Sequence, residues 1–286
     1  GGANDGPTEG GSGHDWFFDD ADIGWHSGSG GLAAYDVSDP TAPELLNQTD
    51  ETGLIAPLNN FILHNSVRPN AEAFAPELRE SNEPNLAKGN IVLATEEDYF
   101  NEGQELACAE AGLFETWYVP NLDGSDITGD PVAAGTGSIR NLGSINGPLD
   151  FGVPGGAFCS AHWFDYSDKG FVANGFYQGG LHIFDVRDPS NLTRYASAYF
   201  GSSEVWDAYF FPIRDADGRR TSQRHDTVIT ADAVRGMDVF TVDGLPEERI
   251  APLSTDGMGD NAARSEEHTS ELQSHSDLVC RLLLEK

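Results

Sequence analysis

Lysine is nearly absent from this sequence: the 286 residues contain three lysines, and 16 basic residues stand against 47 acidic ones. The formal net charge of −31 at pH 7 repels phosphate backbones and anionic lipid headgroups. This composition excludes nucleic acid and anionic membrane surfaces as expected partners. It fits a protein kept soluble at high salt, where ions screen self-repulsion, and it also fits an acidic secreted protein of ordinary habitat.

Long apolar runs are missing as well. No stretch of 18 apolar residues occurs, so we predict no membrane span. The longest helical period covers residues 70–81 and is interrupted by Pro76, which argues against a helical fold. No signal peptide is visible in the sequence, which starts without Met in a Gly-rich stretch. We expect that the N-terminus is truncated and that a signal peptide was lost with it.

Cysteine is scarce too, and one of the three, Cys280, lies in an atypical tail. Cys108 and Cys159 lack the close spacing of metal-binding cysteine pairs. They are either a disulfide or two buried thiols. The acidic, lysine-poor and loop-rich chain favours the disulfide, and with it an extracytoplasmic protein that is secreted or held at the cell surface.

The final segment, 264–286, differs from the rest of the chain. It holds the only Leu-Leu-Leu run and resembles the conceptual translation of a sequencing-library adapter; the alternative is a genuine amphipathic helix. We therefore predict a flexible Gly-rich lead over 1–13, one folded region over 14–263, and a non-native tail over 264–286.

The folded region is rich in short alternating segments of Val, Ile, Phe and Tyr, separated by Gly, Asp, Asn and Pro. This pattern is typical of an all-β protein. In residues 171–185, "FVANGFY" and "LHIFD" flank a Gln-Gly-Gly turn, which predicts a β-hairpin. The aromatic content of 10% argues against disorder.

One sequence motif occurs twice, as "GGLAAYDVSDP" at 30–40 and as "GGLHIFDVRDP" at 179–189. Looser versions begin near Gly112 and Gly236. The shared positions are Gly31, Asp36, Asp39 and Pro40 in the first copy, and Gly180, Asp185, Asp188 and Pro189 in the second. Repeats of this length in an all-β chain predict a propeller or a β-solenoid, and antiparallel hairpins favour the propeller.

These two segments resemble the LVIVD repeat, a β-propeller blade in which a glycine-opened strand ends in Asp-Val-Ser-Asp-Pro. The resemblance implies an all-β chain forming an incomplete propeller of about four blades, each a four-stranded antiparallel sheet, within a monomeric full-length parent. It implies no chemistry, because many members of this family have no assigned activity. A more distant similarity to the metal-containing selenium-binding and methanethiol oxidase propellers is an analogy.

Three segments read as starts of inner strands: "ILHNSV", "FCSAHWFDY" and "SEVWDAYFF". If the blades align, His64, His162 and Asp207 point into one channel, with Glu96 or Glu97 from a neighbouring strand. Histidines with a carboxylate suit zinc, iron, manganese or copper. The alternative is a structural network in which the two histidines bond the backbone or bridge blades.

Weaker candidates concern calcium. Asp123, Asp126 and Asp130 form one acidic cluster, and Asp215 with Asp217 forms part of a calcium loop without its closing glutamate. Asp-Gly turns explain both groups without a ligand. The repeat aspartates are expected to form turns by accepting backbone N–H bonds.

Two function classes remain open. The first is a secreted or cell-surface propeller that binds a protein or glycan partner and has no catalytic activity. The second is a metal-dependent oxidative or hydrolytic enzyme with its centre in the channel. No P-loop, nucleophile elbow or dinucleotide fingerprint is present in the sequence.

Overall fold

The computed structural model is almost entirely β-structure and confirms the predicted propeller of four blades, each a four-stranded sheet. Short 3-10 turns at Ala71–Ala73 and Leu86–Lys88 are the helical elements of the described chain, and no helix there is long and apolar enough to cross a membrane. The structure describes residues 13–28, 31–49, 62–75, 83–97, 100–101, 104–105, 112–123, 139–147, 159–253 and 280–282.

The first and third sheets are simple antiparallel meanders in chain order, because tight turns join their alternating segments. The strands of the first sheet are β1 (Gly13–Phe18), β2 (Ile23–Gly28), β3 (Gly31–Asp36) and β4 (Glu44–Gln48). The second sheet begins with β5 (Ile62–Val67) and β6 (Ile91–Glu97). A two-stranded hairpin, β7 (Phe100–Asn101) and β8 (Gln104–Glu105), follows before β9 (Phe114–Tyr118) and β10 (Arg140–Ile145) complete the sheet.

The strands of the third sheet are β11 (Phe164–Ser167), β12 (Phe171–Gly175), β13 (Leu181–Asp185) and β14 (Thr193–Ala198). Those of the fourth are β15 (Val205–Arg214), β16 (Arg220–Asp232), β17 (Gly236–Val242) and β18 (Cys280–Leu282). The β18 strand runs parallel to β17, whereas the other pairings are antiparallel. It comes from the tail 264–286, whose origin stays a prediction.

The aspartates of the repeat close turns at the ends of β3 and β13. The Oδ1 atom of Asp36 accepts the N–H of Ser38 at 2.9 Å, and that of Asp185 accepts the N–H of Arg187 at 3.0 Å. Asp39 and Asp188 accept the N–H two residues ahead in the same way, each at 3.0 Å. These local bonds satisfy backbone donors where the ladder ends.

Apolar side chains fill the spaces between consecutive sheets. Trp25 of the first sheet packs in one cluster with Val92 and Trp117 of the second. The second and third sheets share another cluster, in which the Phe114 and Phe164 rings meet edge to face at 5.2 Å. A third cluster, with residues such as Phe171, Phe210 and Phe240, joins the third and fourth sheets. Among the described residues, none of these clusters combines the first sheet with the fourth.

The first strand of each sheet, β1, β5, β11 or β15, borders the neighbouring sheet and lines the inside of the propeller. In a propeller these inner strands run in the same direction, so their starts gather at one end of the channel. At the other end, the segment after β17 crosses the third and second sheets. There Ile250 donates its N–H to Asp168 O at 2.7 Å, and Leu253 donates to Ala87 O at 2.7 Å.

Gly180 lies where β14 approaches the start of β13 closely, and this approach can be tested by substitution. Its φ is +85°, and an added Cβ would collide with the carbonyl oxygen of Ala198 on the paired strand. Gly201 also has a positive φ of +73°, but nothing lies within 4 Å of its added Cβ.

We predict that Gly180→Ala lowers the free energy of unfolding by about 2–4 kcal/mol, because left-handed strain and the backbone collision add. Gly201→Ala, with strain alone, should cost about 1 kcal/mol. Urea unfolding followed by circular dichroism measures both. Equal losses in the two variants would contradict the close strand approach at Gly180.

Candidate functional site

Three histidine side chains meet where the inner strands begin. His14 lies in β1 and His64 in β5, while His162 lies two residues before β11. The ring centroids are 4.1 Å apart for His14 and His64, and 4.0 Å apart for His64 and His162. The structure thus brings together side chains from three sheets.

A carboxylate completes the group. Glu97, the last residue of β6, places Oε2 3.8 Å from His64 Nε2 and Oε1 3.6 Å from His162 Nε2. One ligand atom each from His14, His64 and Glu97 lie within 4.8 Å of one another. Ligands about 2.1 Å from a tetrahedral metal are about 3.4 Å apart. The Glu97 separations of 3.6 and 3.8 Å are close to that value, whereas the 4.8 Å limit of the group with His14 is wider.

Hydrogen bonds at the opposite nitrogens orient the rings. His14 Nδ1 lies 2.8 Å from His64 O, and His162 Nδ1 lies 2.6 Å from Trp206 O. Carbonyl oxygens only accept, so each Nδ1 carries the proton and donates. In a neutral imidazole the lone pair then resides on Nε2, which is the tautomer of a metal ligand held by an outer hydrogen bond.

Burial keeps the imidazoles of His64 and His162 neutral. Burial, together with the like charges of the neighbouring His162 and His14, lowers the pKa of His64 to about 2. Burial also lowers the pKa of His162 to about 4. The pKa of Glu97 is raised by burial, which the hydrogen bond from Tyr177 partly offsets. The two buried histidines can therefore act as neutral donors at physiological pH.

Tyr177 supports the carboxylate from the third sheet. Its hydroxyl donates to Glu97 Oε1, and its ring lies 4.7 Å from that of His162. Its φ of +47° is strained for a bulky residue, by about 1–3 kcal/mol. Two backbone bonds to Val205, both 2.9 Å, hold it there. The fold thus maintains a strained conformation to place this hydroxyl.

Two tryptophans flank the imidazoles. The Trp163 ring meets His64 edge-on at 4.8 Å, and the Trp206 ring meets His162 at 5.3 Å. Trp206 is 46% exposed and its indole N–H donates to Glu204 at 2.7 Å. The aromatic rings cover the sides of the imidazoles, whereas Nε2 of His64 and of His162 faces Glu97.

Three of the five predicted ligands meet in this site: His64, His162 and Glu97. Glu96 points to the other face of β6, because adjacent strand residues alternate, and its Oε2 accepts the N–H of Leu113 at 3.4 Å. Asp207 is outside the group. Burial, with a smaller contribution from the charge of Asp165, raises the pKa of Asp207 to about 6.

His14 and Tyr177 belong to the site although they are not among the predicted ligands. His14 adjoins the Gly-rich stretch 1–13, whose composition predicts a flexible lead and not an inner strand. A signal was present, since "HDWFFD" at 14–19 parallels "HWFDYS" at 162–167. Tyr177 has no such signal, because only the fold places its hydroxyl at Glu97.

The remaining predicted sites divide between described and undescribed residues. Asp215 accepts the N–H groups of Asp217 at 3.0 Å and Arg219 at 2.8 Å, as in an ordinary turn. Asp123 is exposed at the edge of the described chain. Cys159 is buried. Asp126, Asp130 and Cys108 lie outside the described residues, so the calcium cluster of Asp123, Asp126 and Asp130 and the disulfide stay predictions.

No family model and no curated protein matches this chain. Solved structures of similar fold include the β-propeller domain of Myceliophteria thermophila Cps50 (Swd1), with a TM-score of 0.45, 13% identity, and coverage of 80% of this chain and 50% of that one. The Malassezia sympodialis allergen Mala s 1 has a TM-score of 0.44 and 10% identity, with coverage of 80% and 60%.

Regucalcin, a calcium-binding protein of Agrobacterium tumefaciens, has a TM-score of 0.36 and 12% identity, with coverage of 82% of this chain and 62% of that one. The chain thus spans half to about three-fifths of the length of these solved structures. At such low identity the similarity concerns the fold alone, and membership of the LVIVD-repeat family stays a prediction.

The hydrogen bond from Tyr177 yields a test of the site. We predict that Tyr177→Phe lowers the free energy of unfolding by about 1.5–3 kcal/mol, because the buried carboxylate of Glu97 loses the hydroxyl that donates to it. Tyr195→Phe is the matched control, since its hydroxyl donates to the neutral carbonyl of Asp243 at 3.1 Å in an exposed position. That change should cost about 0.5–1.5 kcal/mol. Denaturation in the presence of a chelator compares the two; a smaller loss for Tyr177→Phe would argue against this support of Glu97.

Proposed function

We propose that this protein is a metal-dependent enzyme whose centre lies at the mouth of the propeller channel. His14, His64 and His162 would supply Nε2 ligands, and Glu97 would supply a carboxylate oxygen. The single observation that carries the proposal is the position of the buried Glu97 carboxylate among three imidazoles: its oxygens lie 3.8 Å from His64 Nε2 and 3.6 Å from His162 Nε2, and ligand atoms of His14, His64 and Glu97 lie within 4.8 Å of one another.

Electrostatics favours a cation in this group over a purely structural network. With the proton on Nδ1, the Nε2 lone pair of His162 faces the lone pairs of Glu97 at 3.6 Å. Lone pairs that face one another at this distance repel, and they lack a donor between them. A protonated Glu97 could supply one donor. A divalent metal would satisfy all of the Nε2 atoms and the carboxylate together.

The donor set suits zinc, iron(II), manganese or copper. Such a metal would act as a Lewis acid towards a water or substrate oxygen. The residues around it have separate tasks: the Trp206 carbonyl orients His162, Tyr177 fixes the carboxylate of Glu97, and the burial of His64 keeps it neutral. His14 is exposed, so we place the approach of substrate on its side of the group.

A second candidate function is a propeller that binds a protein or glycan partner without catalysis. Exposed apolar side chains favour it, among them Phe18 of the first sheet and Phe211 and Met237 of the fourth. We also propose an extracytoplasmic location, supported by the acidic composition and by the pair Cys108 and Cys159.

Elemental analysis of the full chain, purified without a histidine tag, tests the metal centre. We predict one equivalent of a transition metal, lost in a His64→Ala/His162→Ala variant because two ligands are removed. His225→Ala, which changes an exposed histidine outside the group, should retain the metal. Zinc, which has no redox chemistry, would favour a hydrolytic reaction, whereas redox-active iron, copper or manganese would permit an oxidative one. If the folded wild-type protein contains no metal, the metal-centre proposal is wrong and the non-catalytic binding module is the function that stays.

Thiol labelling under denaturing conditions tests the location proposal. We expect neither Cys108 nor Cys159 to react before reduction and both to react after it, because a disulfide persists in oxidising compartments. Cys280 in the tail is the internal control and should be labelled in both cases. Labelling of Cys159 without reduction would instead identify two free thiols and remove this support for secretion.

A further inference from the structure

The hairpin formed by β15 and β16 is longer than its sheet. These strands have 10 and 13 residues, whereas the other strands of the four-stranded sheets have three to seven. The β17 strand pairs only with Thr227–Asp232 of β16. Residues 211–224 therefore form a two-stranded projection, which we call the β-arm. Along β15, Arg214 of the β-arm lies roughly 26 Å from Trp206, at about 3.3 Å per residue, and so at the end of the strand away from the histidines.

The β-arm is positive in a strongly acidic protein. It contains four arginines and two aspartates, in a chain with 16 basic and 47 acidic residues. Arg219 pairs with Asp217 at 3.1 Å, and Arg224 pairs with Asp165 at 3.0 Å. Arg214 and Arg220 are exposed, and neither forms an ion pair with a carboxylate in the described part of the chain.

Arg214 and Arg220 also stand directly opposite each other in the strand register. Like charges at facing positions destabilise a β-ladder. Within the described residues, the Arg214 guanidinium donates to a neutral partner, the carbonyl oxygen of Gly218, at 2.7 Å. The two facing guanidiniums have no carboxylate partner in that part of the chain, and an external carboxylate would relieve their repulsion.

Apolar surface adjoins these charges. A cleft of about 350 Å³ is lined by Arg214 and Arg220 together with Tyr209 and Phe211. Tyr209 is 38% exposed and Phe211 is 45% exposed. Arginine beside exposed aromatic side chains is the composition enriched in protein interfaces, where guanidiniums bind carboxylates and rings bury apolar side chains.

We infer that the β-arm and its cleft form a docking site for an acidic polypeptide segment with apolar side chains. Carboxylates of the segment pair with Arg214 and Arg220, and apolar side chains pack on Tyr209 and Phe211. The net charge of −31 opposes a long polyanion such as nucleic acid, whereas a short acidic segment meets chiefly the local positive field of the arm. This site is independent of the proposed metal centre.

Fluorescence anisotropy with the full chain tests the inference. The probe is a fluorescein-labelled peptide of alternating Glu and Phe, compared with Lys–Phe and Glu–Ser peptides of the same length. We expect the Glu–Phe peptide to bind most tightly, because it alone offers both charge and apolar contact. Raising salt from about 50 to about 300 mM should weaken its binding, since ions screen exposed pairs.

Variants assign the binding to the arm. Arg214→Glu/Arg220→Glu should raise the Kd at least about tenfold, because two attractive pairs become repulsive. Phe211→Ser, which leaves the charges intact, should also raise it. The control is Arg235→Glu, an exposed arginine of the fourth sheet beyond the arm, which should leave the Kd within about twofold.

Several results would overturn the inference: no binding of the Glu–Phe peptide, equal binding of the Lys–Phe peptide, or an unchanged Kd after charge reversal in variants with wild-type circular dichroism. If a short DNA duplex bound more tightly than the Glu–Phe peptide, the inferred ligand of the β-arm would be nucleic acid and not an acidic polypeptide segment. None of these outcomes depends on the metal content of the protein.

Discussion

The stacking of one sheet on the next is the constraint on which the rest of this structure depends. A four-stranded sheet with apolar side chains on both faces cannot satisfy them alone, so each sheet buries a face against its neighbour. The clusters around Trp25, Phe114 and Phe171 join consecutive sheets in chain order. This packing brings the starts of the inner strands to one end of the channel, and nothing in a single blade would do so.

The candidate site is a consequence of that arrangement. His14, His64 and His162 are far apart in sequence, yet their rings lie about 4 Å from one another in succession. Because stacking also excludes water, the same packing that gathers the imidazoles keeps those of His64 and His162 neutral. Tyr177 adds local strain at the site, and its backbone bonds to Val205 of the fourth sheet hold that strain in place.

The fourth sheet links two ends with different chemistry. At the start of β15, the Trp206 carbonyl orients His162 beside a buried carboxylate. At its far end, the same strand continues beyond β17 and carries exposed arginines and aromatic rings. The 47 acidic residues produce a repulsive field for anions, and Arg214 and Arg220, which form no ion pair within the described residues, are a local positive exception to it.

The fold class follows from local sequence signals, because any blade of this propeller needs alternating apolar residues and turns that open with Gly and close with Asp. The sequence also indicated His64 and His162, because each lies near the start of a predicted inner strand, and Glu96 or Glu97 on a neighbouring strand. Only the tertiary structure decided that His14 and Tyr177 join them, that Glu96 and Asp207 do not, and that Arg214 faces Arg220. Those outcomes depend on strand register and on contacts between sheets, and neither is encoded in the spacing of residues along one chain segment.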